Sequence, residues 1–395
     1  MTSKIEWVGN QCRLLSLIAE EFDRTQPFRG LTIGTGIHLE PKTVALLLTL
    51  KRGGARVIST GNLNTTQPES VAYLNAHGVE AIGEPTQHDS VRNEYLDEIL
   101  DAEPDLILDN GGDMFARWLD RPYAKLKGGT EETTSGRIRL VPLRERLNLP
   151  ILVINDSPIK QFAENRHAVG QSTIESFLRI TNLATNGRRV VVFGYGSVGK
   201  GVAMSFQRAH AYVSVLERDP VLRMEAMWDG FMVPDRDEAL ASADIIATVT
   251  AARDVVTAKD LAILQDGAIL MNIGHLPVEI DVAGMAADPS VASFGPTDAG
   301  ISTFSMRDGR RIHLLTDGHM VNLAGPRPLG NTIESMDLGF SLQARCLEAV
   351  AKGEVGRDSC VVPVPRRIDE WVAATYVALG RVRPAPGLGP AARPS

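Results

Sequence analysis

A glycine-rich segment, FGYGSVGKG, follows an apolar, strand-like run. Gly194, Gly196 and Gly199 have the spacing GxGxxG, and a helix is predicted to begin at this point. In such a pattern the first glycine permits a tight turn, the second lets the backbone approach a pyrophosphate, and the third lets helix and strand pack closely. The helix N-terminus, with Ser197 and Val198 in its first turn, offers N–H groups to phosphate. The spacing predicts a dinucleotide site.

An acidic residue stands where such a site needs one. Glu217 lies at the end of the next apolar run, eighteen residues after Gly199. A carboxylate at this place accepts both ribose hydroxyls and repels a 2′-phosphate, which favours NAD over NADP. A glycine-rich turn without a ligand is the competing interpretation of GxGxxG. Here strand, glycines, helix, second strand and acid all fall in register, so we predict NAD as the cofactor.

Polar residues also follow several of the predicted strands. They are His38; Asp109, Asn110 and Asp113; Asn155, Asp156, Ser157 and Lys160; and His275 after Gly274. Taken singly, each fits a turn residue, a helix cap or a solvated side chain equally well. Ligands of doubly wound sheets bind at the carboxyl ends of the strands, where all of these residues fall. We therefore expect them to form a catalytic site.

The elements that must position these residues alternate between short apolar runs and helical stretches, as in a parallel α/β sheet. The strand candidates lack apolar–polar alternation, which is typical of strands buried on both faces. They lie at 31–37, 55–60, 105–109, 151–155, 189–194, 211–217, 244–250 and 268–273. Helices are predicted at 41–54, which begins with a proline and ends at glycines, at 171–184 and, with amphipathic character, at 330–350.

The predicted fold class is α/β, with two doubly wound parallel-sheet domains and a short C-terminal tail. Residues 1–163 form a domain that we expect to bind the substrate, and 330–353 returns to it. Residues 164–329 form an NAD-binding Rossmann domain. Residues 354–395 form a C-terminal segment whose Pro/Gly/Ala-rich end is expected to be disordered.

Composition excludes several classes of partner. The 395 residues carry a net charge of -7, and a nucleic-acid partner requires a basic face. We expect no membrane partner, because no run approaches the length of a membrane span and the N-terminus lacks a signal peptide. The three cysteines lie far apart and have no metal-binding spacing, which is typical of a reduced, cytoplasmic protein without a metal site.

Eight motifs of the chain resemble those of the S-adenosylhomocysteine hydrolase family. They are IHLEPKT (37–43), DNGGD (109–113), EETTSG (131–136), NDSPIK (155–160), ENRHAVGQST (164–173), FGYGSVGKG (193–201), NIGHLPVEID (272–281) and DGHMVNLAG (317–325). EETTSG, GYGSVGKG and NIGH together are specific to that family. The resemblance covers about 33–379. It implies a substrate domain, an NAD domain and a C-terminal segment, a nucleoside as the small-molecule substrate, and a homo-oligomer, either a dimer or a tetramer.

The resemblance also implies a reaction and residue roles. In the family, bound NAD oxidises the nucleoside 3′-hydroxyl to a ketone, a base removes the acidified 4′ hydrogen, the 5′ group leaves, water adds and the ketone is reduced. Lys160 would be the base at the 3′-hydroxyl, Glu132 and Glu164 would hold ribose hydroxyls, and His38 and His275 would handle protons at the 5′ position. The NAD site would contain Thr133, Thr134, Ser135 and Asn322 at the nicotinamide end, with Asn165, Gly194, Gly196, Ser197, Val198, Gly199, Glu217, Ile273, Gly274 and His275.

Four features depart from the family pattern. DNGGD replaces DDGGD, so that Asn110 stands where the family has its 4′ base, and an amide cannot accept that proton. Either Asp109, His38 or another group takes the role, or the reaction differs. Glu164 replaces an aspartate, AGPRPLGN after VNL lacks the gate histidine, and the tail lacks the lysine and tyrosine that reach a neighbouring subunit's NAD.

These departures favour a relative that acts on a different nucleoside, in a specialised pathway such as nucleoside-antibiotic synthesis. If hydroxide leaves the 5′ carbon and no water adds back, the product is an exocyclic alkene and the net reaction is a dehydration. Three alternatives remain: a true S-adenosylhomocysteine hydrolase, a non-catalytic regulatory paralogue and an ordinary NAD dehydrogenase. Retention of Lys160, Glu132, His38 and His275 argues against the non-catalytic paralogue.

Overall fold

The chain folds into two compact units. The computed structural model describes residues 3–63, 65–275 and 277–381. The first unit contains the described residues up to Lys160 together with those from Ile333 onwards, and the second unit is Gln161–Thr332. The end of the chain, for which we predict disorder, lies outside the described residues.

The N-terminal part of the first unit alternates helices and strands. Its helices are α1 (Lys4–Gln11), α2 (Arg13–Thr25), α3 (Pro41–Arg52), α4 (Pro68–Ala76), α5 (Asp89–Asp101), α6 (Asp113–Asp120), α7 (Thr134–Leu140) and α8 (Arg144–Leu147). Its strands are β1 (Thr32–Gly36), β2 (Arg56–Thr60), β3 (Glu80–Ile82), β4 (Leu106–Asp109), β5 (Gly128–Glu131) and β6 (Ile151–Val153).

A π-helix, Lys160–Ala168, leads directly into the first α-helix of the second unit. The helices of that unit are α9 (Val169–Thr181), α10 (Ser197–Arg208), α11 (Pro220–Trp228), α12 (Arg236–Ala241) and α13 (Val282–Ala286). Its strands are β7 (Arg189–Phe193), β8 (Tyr212–Leu216), β9 (Ile245–Thr248), β10 (Ile269–Asn272), β11 (Val291–Asp298), β12 (Ile301–Met306) and β13 (Arg311–Leu315). The chain then returns to the first unit with α14 (Ile333–Ala351), β14 (Val362–Pro363) and α15 (Arg366–Arg381).

The first sheet has the strand order β14-β6-β5-β4-β1-β2-β3, and every neighbouring pair is parallel. The order reverses between β1 and β4, because the chain continues on one side from β1 to β2 and β3 and on the other from β4 to β6. The loops that leave β1 and β4 therefore diverge, and ligands bind in such a crevice. His38 follows β1 and Asn110 follows β4.

The second sheet has the order β11-β12-β13-β10-β9-β7-β8. Its reversal lies between β7 and β9, where the glycine-rich turn follows β7. Alternate residues of β7 enter two different cores, Val190 and Val192 on one face and Val191 and Phe193 on the other. Burial on both faces explains why this strand reads as an unbroken apolar run.

The predicted fold class is confirmed, and the eight predicted strands are present. Six further strands carry little sequence signal. Two of them, β3 and β14, are only three and two residues long, and β5 begins with two glycines. The strands β11, β12 and β13 form an antiparallel extension of the parallel sheet, in which β12 alternates half-buried and buried residues.

The helix predicted at 330–350 is present as α14, but the expected amphipathic character is wrong. Every residue from Ser335 to Val350 is buried. The helix packs against α2, α3 and α15 and against β4 and β5, so no face remains for water. The C-terminal segment also belongs to the first unit, where β14 adds a parallel strand beside β6. No helix among the described residues is long and apolar enough to cross a membrane.

Candidate active site

The carboxyl edge of the first sheet gathers most of the predicted catalytic residues. His38 follows β1, Asn110 follows β4, Glu132 follows β5, and Lys160 opens the π-helix after β6. Asn62, which carries no motif signal in the sequence, follows β2. Because β6, β5, β4, β1 and β2 are consecutive in the sheet, these five side chains come from neighbouring strand ends.

Glu132 and Lys160 form a buried ion pair. Lys160 Nζ lies 3.1 Å from Glu132 Oε1, and both side chains are less than a tenth exposed. Asn110 Nδ2 donates a hydrogen bond of 2.8 Å to Glu132 Oε2. Burial acts to raise the pKa of Glu132, but Lys160, the Asn110 hydrogen bond and the nearby His38 outweigh it and hold that pKa below its ordinary value. The carboxylate is therefore kept ionised, ready to accept hydrogen bonds from hydroxyl groups.

The ring of His38 has an assignable tautomer. Its Nδ1 lies 2.8 Å from Thr65 Oγ1, and the Thr65 hydroxyl donates to the carbonyl of Asn62 at 3.0 Å. Since a hydroxyl has one proton to give, Thr65 must accept from His38, which places the ring proton on Nδ1. The basic nitrogen of neutral His38 is then Nε2.

Two further carboxylates, those of Asp109 and Glu131, accept hydrogen bonds from the backbone of the loop after β4. Asp109 accepts hydrogen bonds from the backbone N–H groups of Asn110, Met114 and Phe115, at 2.9, 2.9 and 3.1 Å. One oxygen is thus engaged by the loop after β4 and the other by the start of α6. Burial, with a contribution from Asp113, raises the pKa of Asp109 to about 7.

Glu131, which was not among the predicted site residues, is completely buried beneath the same loop. It accepts from the N–H groups of Gly111, Gly112 and Thr133 and from the Thr133 hydroxyl, at 2.7 to 3.1 Å. Burial and the neighbouring Asp109 raise its pKa well above the ordinary value. The two consecutive glutamates in EETTSG could have indicated this role for Glu131. Adjacent residues at the end of a strand point to opposite faces, so one glutamate faces the site and the other faces the core.

The residues predicted at the nicotinamide end divide between the two units. In the first unit Thr133 caps α7 by accepting the Gly136 N–H, and its hydroxyl also lies 3.0 Å from Ser135 Oγ. Thr134 Oγ1 accepts from Asn155. These hydroxyls thus have local structural partners, and their contact with NAD stays a prediction.

The glycine-rich turn in the second unit has the shape that a dinucleotide requires. Gly194 has φ +97°, a left-handed conformation that side chains disfavour. A Cβ on Gly199 would lie 2.1 Å from the Gly194 carbonyl oxygen, whereas a Cβ on Gly196 would meet nothing within 4 Å. Gly199 thus permits close packing, and Gly196 opens onto space. The helix α10 begins at Ser197, as predicted.

A cavity of about 630 Å³ extends from this turn. Its lining includes Gly196, Glu217, Arg218, Val249 and Thr250. Glu217 is held in place by backbone N–H groups, with Oε2 accepting from Tyr195 at 2.7 Å and Oε1 from Arg218 at 2.6 Å. The carboxylate predicted to bind the ribose therefore stands at the cavity wall.

The turn NIGH after β10 is fixed by Asn272. Its Oδ1 accepts from the Gly274 N–H at 2.8 Å and from the Thr248 hydroxyl at 3.2 Å. Ile273 and Gly274 are buried, and a Cβ on Gly274 would lie 1.8 Å from a carboxylate oxygen of Glu279. His275, at the end of the turn, is half-buried.

Asn322 in the second unit presents a buried acceptor. Its Nδ2 donates to Ser172 Oγ at 3.2 Å, while its Oδ1 has no hydrogen-bond partner among the described residues. Asn331 links the same serine to Glu164, at 3.3 and 3.4 Å, and Asn165 lies in the π-helix beside Glu164. An orphaned buried carbonyl is costly unless a ligand satisfies it, and a carboxamide N–H₂ is such a ligand. The residues of the second unit therefore fit NAD.

Comparison with known proteins decides the family. The sequence model described as "S-adenosyl-L-homocysteine hydrolase" matches residues 3–121, and the model of that protein's NAD binding domain matches 165–327. Adenosylhomocysteinase from Thermotoga maritima is 38% identical over 376 residues, which cover 94% of this chain and 92% of the relative. The chain belongs to the S-adenosylhomocysteine hydrolase family. The resemblance inferred from the eight motifs is confirmed, as is NAD as the cofactor of this enzyme.

Some relatives in the S-adenosylhomocysteine hydrolase family are named for a different substrate, S-inosyl-L-homocysteine. S-inosyl-L-homocysteine hydrolase from Methanopyrus kandleri is 36% identical over 376 residues, with 93% of this chain and 88% of the relative covered. Among solved structures, a transhydrogenase from Sinorhizobium meliloti aligns with a TM-score of 0.41 and 14% identity, over 80% of this chain and 95% of its own. Membership in the family establishes NAD as the cofactor. It does not identify the nucleoside, because the named relatives differ in that part of the substrate.

Proposed function

We propose that this enzyme oxidises the 3′-hydroxyl of a nucleoside and then eliminates a 5′ hydroxyl, so that the net reaction is a dehydration without net redox change. The observation that carries the proposal is the state of Asn110. Its amide oxygen accepts from Asn62 at 2.9 Å, and its amide nitrogen donates to Glu132 at 2.8 Å. The residue that stands at the family's 4′ base position therefore serves as a hydrogen-bonding link and has no proton-accepting capacity.

The oxidation step is assigned to Glu132 and Lys160. Bound NAD supplies the hydride acceptor at the beginning of the cycle and the hydride donor at its end. Glu132 accepts hydrogen bonds from the ribose hydroxyls, and Lys160 takes the proton of the 3′-hydroxyl. Lys160 can take that proton only as the neutral amine, so the proton that it holds in the ion pair with Glu132 must pass to solvent before the hydroxyl is oxidised.

The elimination step is assigned to His38. Asp109 is disfavoured as the base because both of its oxygens are engaged by three backbone N–H groups. His38 carries its ring proton on Nδ1, so Nε2 is the nitrogen that accepts the 4′ hydrogen. The same nitrogen returns this proton to the departing 5′ hydroxide, which leaves as water. The C4′–H and C5′–O bonds break, a C4′=C5′ bond forms, and no proton is left over.

A second candidate is hydrolysis of a nucleosidyl homocysteine. The identities of 36–38% to adenosylhomocysteinase and S-inosyl-L-homocysteine hydrolases favour it. In this reaction the thiolate of homocysteine leaves in place of hydroxide, and water adds to the alkene before the ketone is reduced. His38 and His275 would then handle the protons of the entering water.

The deciding experiment incubates the purified holoenzyme in D₂O with adenosine, inosine, S-adenosylhomocysteine and S-inosylhomocysteine in separate reactions. Mass spectrometry follows loss of one water or release of homocysteine, and NMR follows deuterium at the 4′ carbon of recovered substrate. We expect a product lacking one water from a free nucleoside, with 4′ exchange. Lys160→Ala should retain NAD but form no NADH and no product. Release of homocysteine as fast as any dehydration would overturn the proposal in favour of the hydrolase.

A further inference from the structure

A continuous hydrogen-bonded chain crosses the carboxyl edge of the first sheet. Arg92 Nη2 donates to Asn62 Oδ1 at 2.9 Å, Asn62 Nδ2 donates to Asn110 Oδ1 at 2.9 Å, and Asn110 Nδ2 donates to Glu132 Oε2 at 2.8 Å. Lys160 closes the chain on the other oxygen of Glu132. All five side chains are buried. The chain links a helix residue, Arg92 in α5, to the proposed oxidation pair.

The two ends of this chain fix its direction. An arginine guanidinium has donors only, and a carboxylate has acceptors only. Arg92 therefore forces the oxygen of Asn62 towards itself and the Asn62 amide nitrogen towards Asn110. The oxygen of Asn110 must then face Asn62, which leaves its amide nitrogen facing Glu132. An amide can otherwise turn by half a rotation, so its orientation is decided by the network around it.

Arg92 is itself held firmly. Its Nη1 donates to Asp113 Oδ2 at 2.8 Å, and Arg139 binds the other oxygen of Asp113. The arginine is 8% exposed as a residue and bridges the start of α6 to Asn62. Its donors therefore cannot swing away from Asn62 without breaking this partly buried ion pair.

We propose that Arg92 and Asn62 are positioning residues that lock the Asn110 amide with its N–H₂ group towards the Glu132 carboxylate. This inference deepens the proposed function, on which it rests for the role of Glu132. It also gives a reason for the asparagine at 110. A carboxylate there would place an acceptor against Glu132 at hydrogen-bond distance, so that one of the two would have to hold a proton.

The test uses Asn62→Asp, which keeps the size of the side chain. The introduced carboxylate would still accept from Arg92, but it has no donor for Asn110. The Asn110 amide must then turn its nitrogen to this carboxylate and its oxygen to Glu132, which can pair only when protonated. The titratable groups that face Glu132 are Lys160 and His38, and both are unchanged in this variant, so the carboxylate introduced at position 62 is the one new influence on Glu132. We expect the pH at which Glu132 protonates to rise by about one unit or more.

Protonation of Glu132 is followed by infrared titration of the holoenzyme, without nucleoside. The carboxyl band of Glu132 is assigned by its absence in Glu132→Gln. Asn75→Asp is the matched control, since it makes the same change in α4, where the Asn75 side chain bonds to the backbone of Ala81. Arg92→Met should also raise the midpoint, whereas Arg92→Lys, which keeps a donor-only group, should raise it less. An unchanged midpoint in a folded Asn62→Asp protein would overturn the proposal.

The proposed function is judged by a separate readout. If no nucleoside reduces the bound NAD of the parent enzyme, the proposed function fails, while the infrared titration still decides the network. If both hold, the acidic limb of the pH profile of NADH formation should move upward in Asn62→Asp by the same amount as the infrared midpoint. If the acidic limb of the pH profile does not move while the infrared midpoint does, NADH formation does not depend on the ionisation of Glu132. That result would refute the proposed connection between the hydrogen-bonded chain and the oxidation step.

Discussion

Replacing Asp109 separates a folding role from a chemical role at the carboxyl end of β4. The carboxylate accepts three buried backbone N–H groups, one from Asn110 in the loop after β4 and two from the start of α6. Leaving a buried donor unsatisfied costs about 1–3 kcal/mol, so Asp109→Ala should cost about 3–9 kcal/mol. That is a large part of the roughly 5–15 kcal/mol that stabilises an ordinary domain. Measured near pH 4, where the raised pKa of Asp109 costs the parent fold little, Asp109→Asn keeps one oxygen and loses one bond, for about 1–3 kcal/mol.

The assay must report on the first unit alone. Three of the four tryptophans, Trp7, Trp118 and Trp371, belong to that unit. Trp228, in the second unit, is 87% exposed, so Trp228→Phe removes its signal with little effect on packing. Urea unfolding followed by fluorescence in this background then gives the loss of stability for each Asp109 variant. His38→Asn, whose amide can still reach Thr65, should unfold like the parent.

The same variants are tested for exchange of the 4′ hydrogen with D₂O. We expect Asp109→Asn to lose stability and keep measurable exchange, and His38→Asn to keep stability and lose exchange by about 10²–10⁴, as for a missing general base. The opposite pattern would refute the reasoning. If Asp109→Asn is as stable as the parent but no longer exchanges the 4′ hydrogen, Asp109 is the base. Its three backbone hydrogen bonds would then not prevent it from accepting the proton.

Three further predictions concern the cofactor and pH. Glu217→Ser should improve NADP binding relative to NAD by about tenfold or more, measured by titration, because Arg218 and Arg223 already line the cavity and the repelling carboxylate is gone. Gly199→Ala should lose bound NAD, measured as absorbance released on denaturation, because its Cβ would lie 2.1 Å from the Gly194 oxygen; unfolding of the first unit should not change. The raised pKa of Asp109, about 7, means that the folded state holds a proton that the unfolded chain releases near pH 4. Stability of the first unit should therefore fall as the pH rises from about 4 to 7, and Asp109→Asn should flatten this dependence in urea titrations.

The sequence by itself determined the fold class, the family and the cofactor. Strands buried on both faces are apolar throughout, so β7 and its neighbours could be read without a structure. The glycine spacing reflects a local requirement, since Gly194 needs a left-handed backbone and Gly199 a close approach. Features that depend on a few consecutive residues leave such marks in the sequence.

Only the tertiary structure decided what the polar residues do with one another. Asp109 and Asn110 are adjacent in the chain. Asp109 accepts backbone N–H groups at the start of α6, whereas Asn110 links Asn62 to Glu132. Arg92 left no sign in the sequence, because it lies on a helix and meets Asn62 across thirty residues. The amphipathic expectation for α14 failed for the same reason, since its polar face is covered by segments distant in the sequence. Hydrogen-bond direction depends on which groups stand at the two ends of a network, and the fold alone brings those ends together.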